Sequence, residues 1–315
     1  MNEDKIFMTD ALKILKRPPA ESVYMIAGWH QWADAGAVSS GLPYYLIHHL
    51  QAEKIAEVKA DGFYLFQIPG THHLLRPDVK FEEGYSKAIR PRENEFFYAG
   101  NEHKGLVIFL GEEPHMDIDR YADTLFAAMK EFNVKRTALV GGVYGAMPYE
   151  KDREVSCTYS LREMKEELSR YAVRFSNYEG GATIGSYIVD RAKLAALEVF
   201  VFNAFVPAYD FSQAGVSLQG LRIEDDYKAW YELMQRITHM FSLGIDLSDL
   251  DRQSEALVAS MEQKLFDLEA KMPQLQLREY LTELTSDFKE NPFEPLDELW
   301  ERELSDLFDD PDESS

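Results

Sequence analysis

The sequence predicts an α/β fold in which helices cover both faces of a mostly parallel sheet, giving three α/β/α layers. Short apolar runs alternate with segments of helical periodicity, and glycine or proline follows nearly every run. After residue 222 this alternation gives way to apolar stripes at helical spacing. We therefore predict an α/β/α core over 1–222, a helical C-terminal subdomain over 223–308 and a disordered acidic tail over 309–315.

The charge and composition of the chain exclude some classes of binding partner. The chain has 315 residues and a net charge of −22, which repels nucleic acid and anionic membranes. No apolar run reaches the ~18 residues of a membrane span, and the charged N-terminus lacks a signal-peptide core. The single cysteine, Cys157, fits a reducing compartment. We expect a cytoplasmic protein that binds neither nucleic acid nor membranes.

The stretch SVYMIAGWHQWADAGAVSS is the clearest strand–turn–helix unit. Residues 23–27 are β-forming and apolar, and they predict a buried strand that ends at the Gly-Trp pair that follows. Asp34 stands where a helix N-cap is expected, and the sequence predicts a helix over residues 35–50. Such a junction collects free backbone N–H groups at the carboxyl edge of a sheet. We expect this junction to form one side of any ligand-binding or catalytic site.

The remaining elements are predicted in chain order from the same two periodicities. A helical turn is expected at 11–15, and loops are expected at 68–80 and 141–153. The further predicted strands are 55–58, 63–66, 106–110, 137–140, 173–175 and 199–206. The further predicted helices are 118–132, 161–168, 184–197, 223–241, 250–268 and 277–284, with a last one that carries Leu296 and Trp300.

Loops that follow parallel strands collect along one edge of a sheet, where ligands usually bind. We call this edge the rim, and five loops are expected to form it: 28–34, 111–115, 141–150, 178–181 and 207–210. The candidate pocket or interface residues there are Gly28, Trp29, Asp34, Gly36, Glu112, Glu113, His115, Gly141, Gly142, Tyr144, Tyr149, Tyr178, Gly180 and Tyr209.

The chemistry of these residues has two interpretations. Glu112, Glu113 and His115 follow a buried strand, and they form either an acid/base or metal cluster or a set of solvated turn residues. The loop tyrosines line either a pocket or an oligomer interface. We favour the interface, because no nucleophile accompanies them. The sequence contains no P-loop, GxGxxG, GxSxG, HExxH or CxxC motif, and we expect neither a metal nor a cofactor.

An ordered set of motifs carries a family resemblance. The motifs are IAGWHQWADAG, DGFYLFQ, RPDV, FLGEEPH, LVGGVYGAMPYEKDREV, YEGGATIG and FVPAYDF. The set resembles the bacterial and archaeal branch of the proteasome assembly chaperone 2 family. The resemblance implies a phosphorylase/hydrolase-like α/β/α sandwich, followed by helices, in a homo-oligomer, for example a trimer. It also implies kinship with the non-catalytic chaperones of the eukaryotic proteasome α-ring.

Two hypotheses about function follow. The family often has a histidine near Tyr149 and before Tyr209, and neither histidine is present here. Our first hypothesis is therefore a non-enzymatic, assembly-chaperone-like module whose protein partners include a second copy of itself. The alternative is a small-molecule-binding protein or a hydrolase- or phosphorylase-like enzyme. In that case the rim carboxylates and His115 would surround a small anionic ligand, bound at the helix N-terminus after Asp34.

Overall fold

The computed structural model describes residues 10–66, 77–90, 92–209, 222–273 and 276–293. The strands in this part of the chain are β1 (Leu12–Ile14), β2 (Ser22–His30), β3 (Glu53–Val58), β4 (Asp78–Glu82), β5 (Tyr85–Arg90), β6 (Glu95–Gly100), β7 (Lys104–Glu112), β8 (Val134–Gly145), β9 (Val155–Tyr159), β10 (Arg174–Phe175) and β11 (Val199–Pro207). The helices are α1 (Gly41–His49), α2 (Ile118–Glu131), α3 (Met164–Leu168), α4 (Ile184–Leu194), α5 (Tyr227–Phe241), α6 (Ser248–Lys271) and α7 (Leu277–Leu284).

The main sheet of the described chain has nine strands in the order β1-β3-β6-β7-β2-β8-β11-β9-β10. Its four central strands, β7, β2, β8 and β11, are parallel neighbours. The pairs β1–β3, β3–β6, β6–β7 and β9–β11 are antiparallel. The edge pair β9–β10 is parallel as well. The prediction of a mostly parallel sheet is therefore correct for the four central strands and for this edge pair, and wrong for the other pairs. Only three residues connect β6 to β7. A connection between parallel strands needs a dozen residues or more, so β6 and β7 can pair only as antiparallel strands.

Hydrophobic side chains cover both faces of the central strands. Ile26 of β2 packs in a cluster with residues of α1, α3 and α5, whereas its neighbour Met25 packs in a second cluster with residues of α2 and α4. Successive side chains of a strand point to opposite faces, so one strand supplies both clusters. The predicted α/β/α sandwich is confirmed.

The C-terminal helices continue the first of these clusters. Phe241 of α5 stacks on Tyr24 of β2 with ring centroids 4.6 Å apart, and Leu265 of α6 and Leu281 of α7 belong to the same cluster. The boundary between two units at residue 222 stays a prediction. The last predicted helix, with Leu296 and Trp300, and the acidic tail lie outside the described residues. Among the described helices, none has the length and apolar character needed to cross a membrane.

Some predicted elements are wrong. Residues 12–14 form a strand paired with β3, not a helical turn, because a short edge segment takes its conformation from the neighbour it pairs with. Residues 63–66 form a turn instead of a strand, and the ring of Phe63 is buried against Tyr121. The strands β2 and β8 continue through their glycines to His30 and Gly145.

The strands β4 and β5 form a separate hairpin. The first three residues of β4 fall in the loop predicted at 68–80, and no element is predicted for β5. Glu83 and Gly84 connect them with φ angles of 49° and 81°, and two positive φ angles are typical of the type I′ turns that match strand twist. Val79 lies opposite Ile89. The alternation of Val79 and Phe81 before the Glu-Gly pair is the sequence signal for this hairpin.

Candidate functional site

The loops that follow β2, β7 and β8 meet at the rim. The backbone N–H of Glu113, after β7, donates to the carbonyl oxygen of His30 at 3.1 Å. The N–H of Gly142 in β8 donates to the carbonyl oxygen of Ala33 at 2.9 Å, and Asp34 forms a parallel bridge with Gly142. These backbone bonds bring the ends of three central strands together.

The side chain of Glu113 joins three segments of the rim. Its carboxylate accepts hydrogen bonds from the backbone N–H of Trp32 at 3.3 Å and of Ile184, the first residue of α4, at 3.2 Å. A carboxylate at a helix N-terminus satisfies a free N–H group and complements the helix dipole. Glu113 therefore holds the position that a bound anion would take at α4.

The carboxylate of Asp34 lies just before α1 and binds residues that precede the helix, and it is not the N-cap that the sequence predicts, because Ser40 stands at that position. Its Oδ1 atom accepts from the N–H groups of Ser39 at 2.8 Å and Ser40 at 3.0 Å, and its Oδ2 atom accepts from the Ser40 hydroxyl at 2.6 Å. Burial raises the pKa of Asp34, and the bonds from Ser40 and Ser39 act in the opposite direction. The helix begins at Gly41, not at Ala35 as predicted, because Gly36 has a φ of 61°. The chain's own carboxylate thus lies beside the anion site of our alternative hypothesis.

Glu112 and His115 lie on the β6 side of the rim. Nη1 of Arg92 donates to the Glu112 carboxylate at 2.8 Å. Nδ1 of the exposed His115 accepts from the N–H of Leu65 at 3.1 Å. Desolvation, with the charge of Arg92 adding to it, lowers the pKa of His115. Among the described residues, no group of three His, Cys, Asp or Glu side chains is arranged to hold a metal ion.

The hydrogen bond to His115 makes its titration a test of this geometry. Protonation of Nδ1 breaks the bond from Leu65, and the pKa of His115 lies below its usual 6.5. The folded state therefore binds this proton less tightly than the unfolded state, so the stabilising contribution is present above pH 6.5 and is lost as the pH falls. We expect an NMR titration midpoint for His115 below that of an unfolded peptide of the same local sequence. An equal or higher midpoint would contradict the geometry.

Several predicted site residues are packing residues. Trp29 is fully buried, and its indole N–H donates to the Tyr121 hydroxyl at 2.9 Å. Gly28 lies so close to another segment that a Cβ atom would be 1.8 Å from the carbonyl oxygen of Ser39. A Cβ atom would likewise overlap neighbouring atoms at three more glycines: Gly36, Gly141 and Gly142. These residues allow the segments of the rim to pack closely together, and they present no side chain at its surface.

The four predicted tyrosines divide into two pairs. Tyr149 is 8% exposed and its hydroxyl bonds to Glu262 of α6, while the Tyr209 hydroxyl donates to the carbonyl oxygen of Met147 at 2.8 Å. Tyr144 and Tyr178 are 45% and 69% exposed. The guanidinium of Arg222 donates to the Tyr144 hydroxyl and lies 5.5 Å from the centroid of its ring, so Tyr178 is the more open of the two exposed tyrosines.

The structure adds Trp32, which the sequence did not place at the surface. Its ring is 71% exposed, and a Cβ atom at Gly181 would be 3.5 Å from it. The hydroxyl of Tyr178 donates to the carbonyl oxygen of Gly181 at 3.4 Å. We call the surface formed by Trp32, Tyr178, Gly180 and Gly181 the aromatic patch. Its two rings flank glycines that present no side chain.

A cleft of about 970 Å³ lies away from the aromatic patch, between α5 and α6. Of the predicted site residues, Tyr149 alone is among its described lining residues. Its wall includes Glu232, whose carboxylate pairs with the buried Arg236 at 2.7 Å. The cleft therefore adjoins the predicted rim through the loop that carries Tyr149 and Glu150, and its other described lining residues lie outside the predicted rim loops.

Comparisons with known proteins identify the family. The PAC2 family model matches residues 28–265, which is most of the chain. The chain belongs to the PAC2 family. The family resemblance read from the motifs is thereby confirmed. No match was found among curated proteins.

Several solved structures share this fold. A proteasome-assembly chaperone homologue of Mycobacterium tuberculosis is 20% identical, covering 76% of this chain and 94% of its own, with a TM-score of 0.64. A PAC2 family protein of Streptomyces avermitilis is 23% identical, with coverages of 77% and 95% and a TM-score of 0.64. An archaeal proteasome activator of Pyrococcus furiosus is 20% identical, with coverages of 82% and 98% and a TM-score of 0.56.

Proposed function

We propose that this PAC2 protein is a non-enzymatic, assembly-chaperone-like module of the cytoplasm that forms homo-oligomers and binds proteins through its rim. The aromatic patch is the observation that carries the proposal. Aromatic side chains are enriched at the centres of protein interfaces, and contiguous exposed apolar surface is uncommon on monomers. Trp32 and Tyr178 both lie next to Gly181 and are both exposed, so this surface fits a protein partner.

The electrostatics of the rim support binding rather than catalysis on an anion. A phosphate or carboxylate substrate is usually bound by the free N–H groups of a helix N-terminus. Glu113 binds the first N–H of α4, and Asp34 places a second carboxylate just before α1, where it binds the N–H groups of Ser39 and Ser40. A small anion would have to displace a carboxylate that belongs to the fold.

The class of partner is proposed from the relatives. Solved structures of similar fold include a proteasome-assembly chaperone homologue and an archaeal proteasome activator. We infer that this chain likewise acts on a multi-subunit protein assembly. The first partner we propose is a second copy of the chain.

The double variant Trp32→Ser/Tyr178→Ser tests the proposal. We expect its mass in solution, measured by light scattering, to fall below that of the wild-type oligomer, because the apolar contact at the rim is lost. The backbone N–H of Trp32 is kept, so its bond to Glu113 remains. The matched control is Leu194→Ser, which removes an equally exposed apolar side chain from the last residue of α4. A wild-type protein that is monomeric in solution would refute the proposal, and so would a double variant whose mass in solution equals that of the wild type. A rise in melting temperature with phosphate or nucleosides would favour the small-molecule alternative.

A further inference from the structure

The β4–β5 hairpin carries a second exposed apolar surface. Val79 and Phe81 are two residues apart on one face of β4, and Ile89 lies opposite Val79. The register shifts between Lys80 and Phe81, so Phe81 lies opposite Ser86. The side chains of Val79, Phe81 and Ile89 are between 50% and 63% exposed. We call these three residues the hairpin face.

The hairpin has little stability of its own. Within the described chain, β4 and β5 pair only with each other and are not part of the nine-stranded sheet. An isolated two-stranded hairpin is marginally stable in water, and stability requires further strands or a packed face. A partner that covers the hairpin face would supply that packing.

The charge of the hairpin favours a second copy over a basic protein. Residues 77–90 contain three acidic and three basic residues and are neutral, in a chain of net charge −22. A basic partner would be attracted to the acidic remainder of the surface. A second acidic copy is repelled there and meets the least repulsion at the hairpin.

The size of the two apolar surfaces indicates how copies meet. The hairpin face offers roughly 300 Å² per copy, well below the ~800 Å² per partner of a standard interface. Two hairpin faces in contact with each other would also leave Trp32 and Tyr178 uncovered. A head-to-tail contact covers both surfaces of every copy. Such contacts form a ring where the rotation between copies closes, and an open filament where it does not.

We propose that the hairpin face of one copy packs on the aromatic patch of the next copy. This inference rests on the proposed self-assembly and names the element that mediates it. The rings of Phe81 and Trp32 supply the large apolar contacts, and the side chains of Val79 and Ile89 pack beside Gly181, where a Cβ atom meets nothing nearer than 3.5 Å.

Cross-linking between two single-cysteine variants tests the pairing. Ile89→Cys places a thiol on the hairpin face, and Gly181→Cys places one in the aromatic patch, where the new Cβ makes an ordinary 3.5 Å contact with Trp32. The native Cys157 is buried and its pKa is raised to about 12 by desolvation, so it stays unreactive. The two variants are co-expressed and treated with a short bismaleimide. We expect a covalent dimer in the mixture and none with either variant alone.

The possible outcomes of this experiment distinguish failure of the proposed pairing from failure of the proposed self-assembly. A covalent dimer of Ile89→Cys chains alone would show that hairpin faces meet each other, and it would overturn the inference. No dimer in the mixture, with an oligomeric wild type, would overturn the inference and leave the proposed function standing. A monomeric wild type would overturn the proposed function itself. Leu194→Cys, mixed with Ile89→Cys, is the control and should give no dimer.

Discussion

Replacement of Asp226 by alanine should lower the free energy of unfolding by about 3–5 kcal/mol, the usual cost of removing one partner of a buried ion pair. Asp226 and Arg153 are both fully buried, with Nε of Arg153 2.9 Å from Oδ2 of Asp226 and Nη2 3.2 Å from Oδ1. The variant leaves a guanidinium group inside the protein without a counter-ion. This desolvated charge is the largest part of the expected loss.

The same carboxylate also orders the beginning of α5. Oδ1 of Asp226 accepts from the N–H of Ala229 as the helix N-cap, and the N–H of Asp226 donates to the carbonyl oxygen of Gly36 at 2.9 Å. Loss of an N-cap costs about 1 kcal/mol by itself. Arg153 meanwhile donates to the carbonyl oxygen of Tyr149. The ion pair therefore connects α5 to two loops of the rim.

Urea unfolding of the wild type and variant measures the effect. Asp190→Ala is the matched control, because Asp190 pairs with Lys193 on the surface with both side chains largely exposed, and such pairs contribute ~0–1 kcal/mol. The double variant Arg153→Met/Asp226→Leu should recover much of the loss, because no charge is then left buried. A loss in Asp226→Ala no larger than that in Asp190→Ala would contradict the assignment.

The variant Gly142→Ala should have the second large effect, a loss of about 2–3 kcal/mol or more. The added Cβ atom would be 2.0 Å from the carbonyl oxygen of Ala35. This oxygen belongs to the backbone and has no rotamer with which to move away. Gly142 also donates its N–H to Ala33, so separation of the segments would break that bond and open the rim.

Thermal unfolding measures this effect, with Gly244→Ala as the control. A Cβ atom at Gly244 meets nothing within 4 Å, and a tolerated Gly-to-Ala change is neutral or stabilises by up to ~1 kcal/mol. We expect Gly142→Ala to melt well below both other proteins, or to express in insoluble form while Gly244→Ala stays soluble. Equal melting temperatures for the two variants would refute the close approach of Ala35 to Gly142.

The sequence by itself determined the elements that have a periodicity of their own. The strands β2, β7, β8 and β11 are apolar runs, and α2 and α4–α7 carry apolar stripes, so each shows its type locally. Their alternation predicted a sheet covered on both faces, and the ordered motifs predicted the PAC2 family. Antiparallel flanking strands such as β6 have no such signal, because their direction depends on a three-residue connection and on the neighbour they pair with.

Only the tertiary structure decided which rim residues reach the surface. Trp29 and Trp32 are three residues apart, yet one is in the core and the other is exposed, because Trp29 is still part of β2 and Trp32 lies beyond its end. Tyr149 is buried by a contact with Glu262, 113 residues away, whereas Tyr178 has no such cover and is exposed. Burial at the rim depends on segments distant in sequence, and no local pattern of residue types records those contacts.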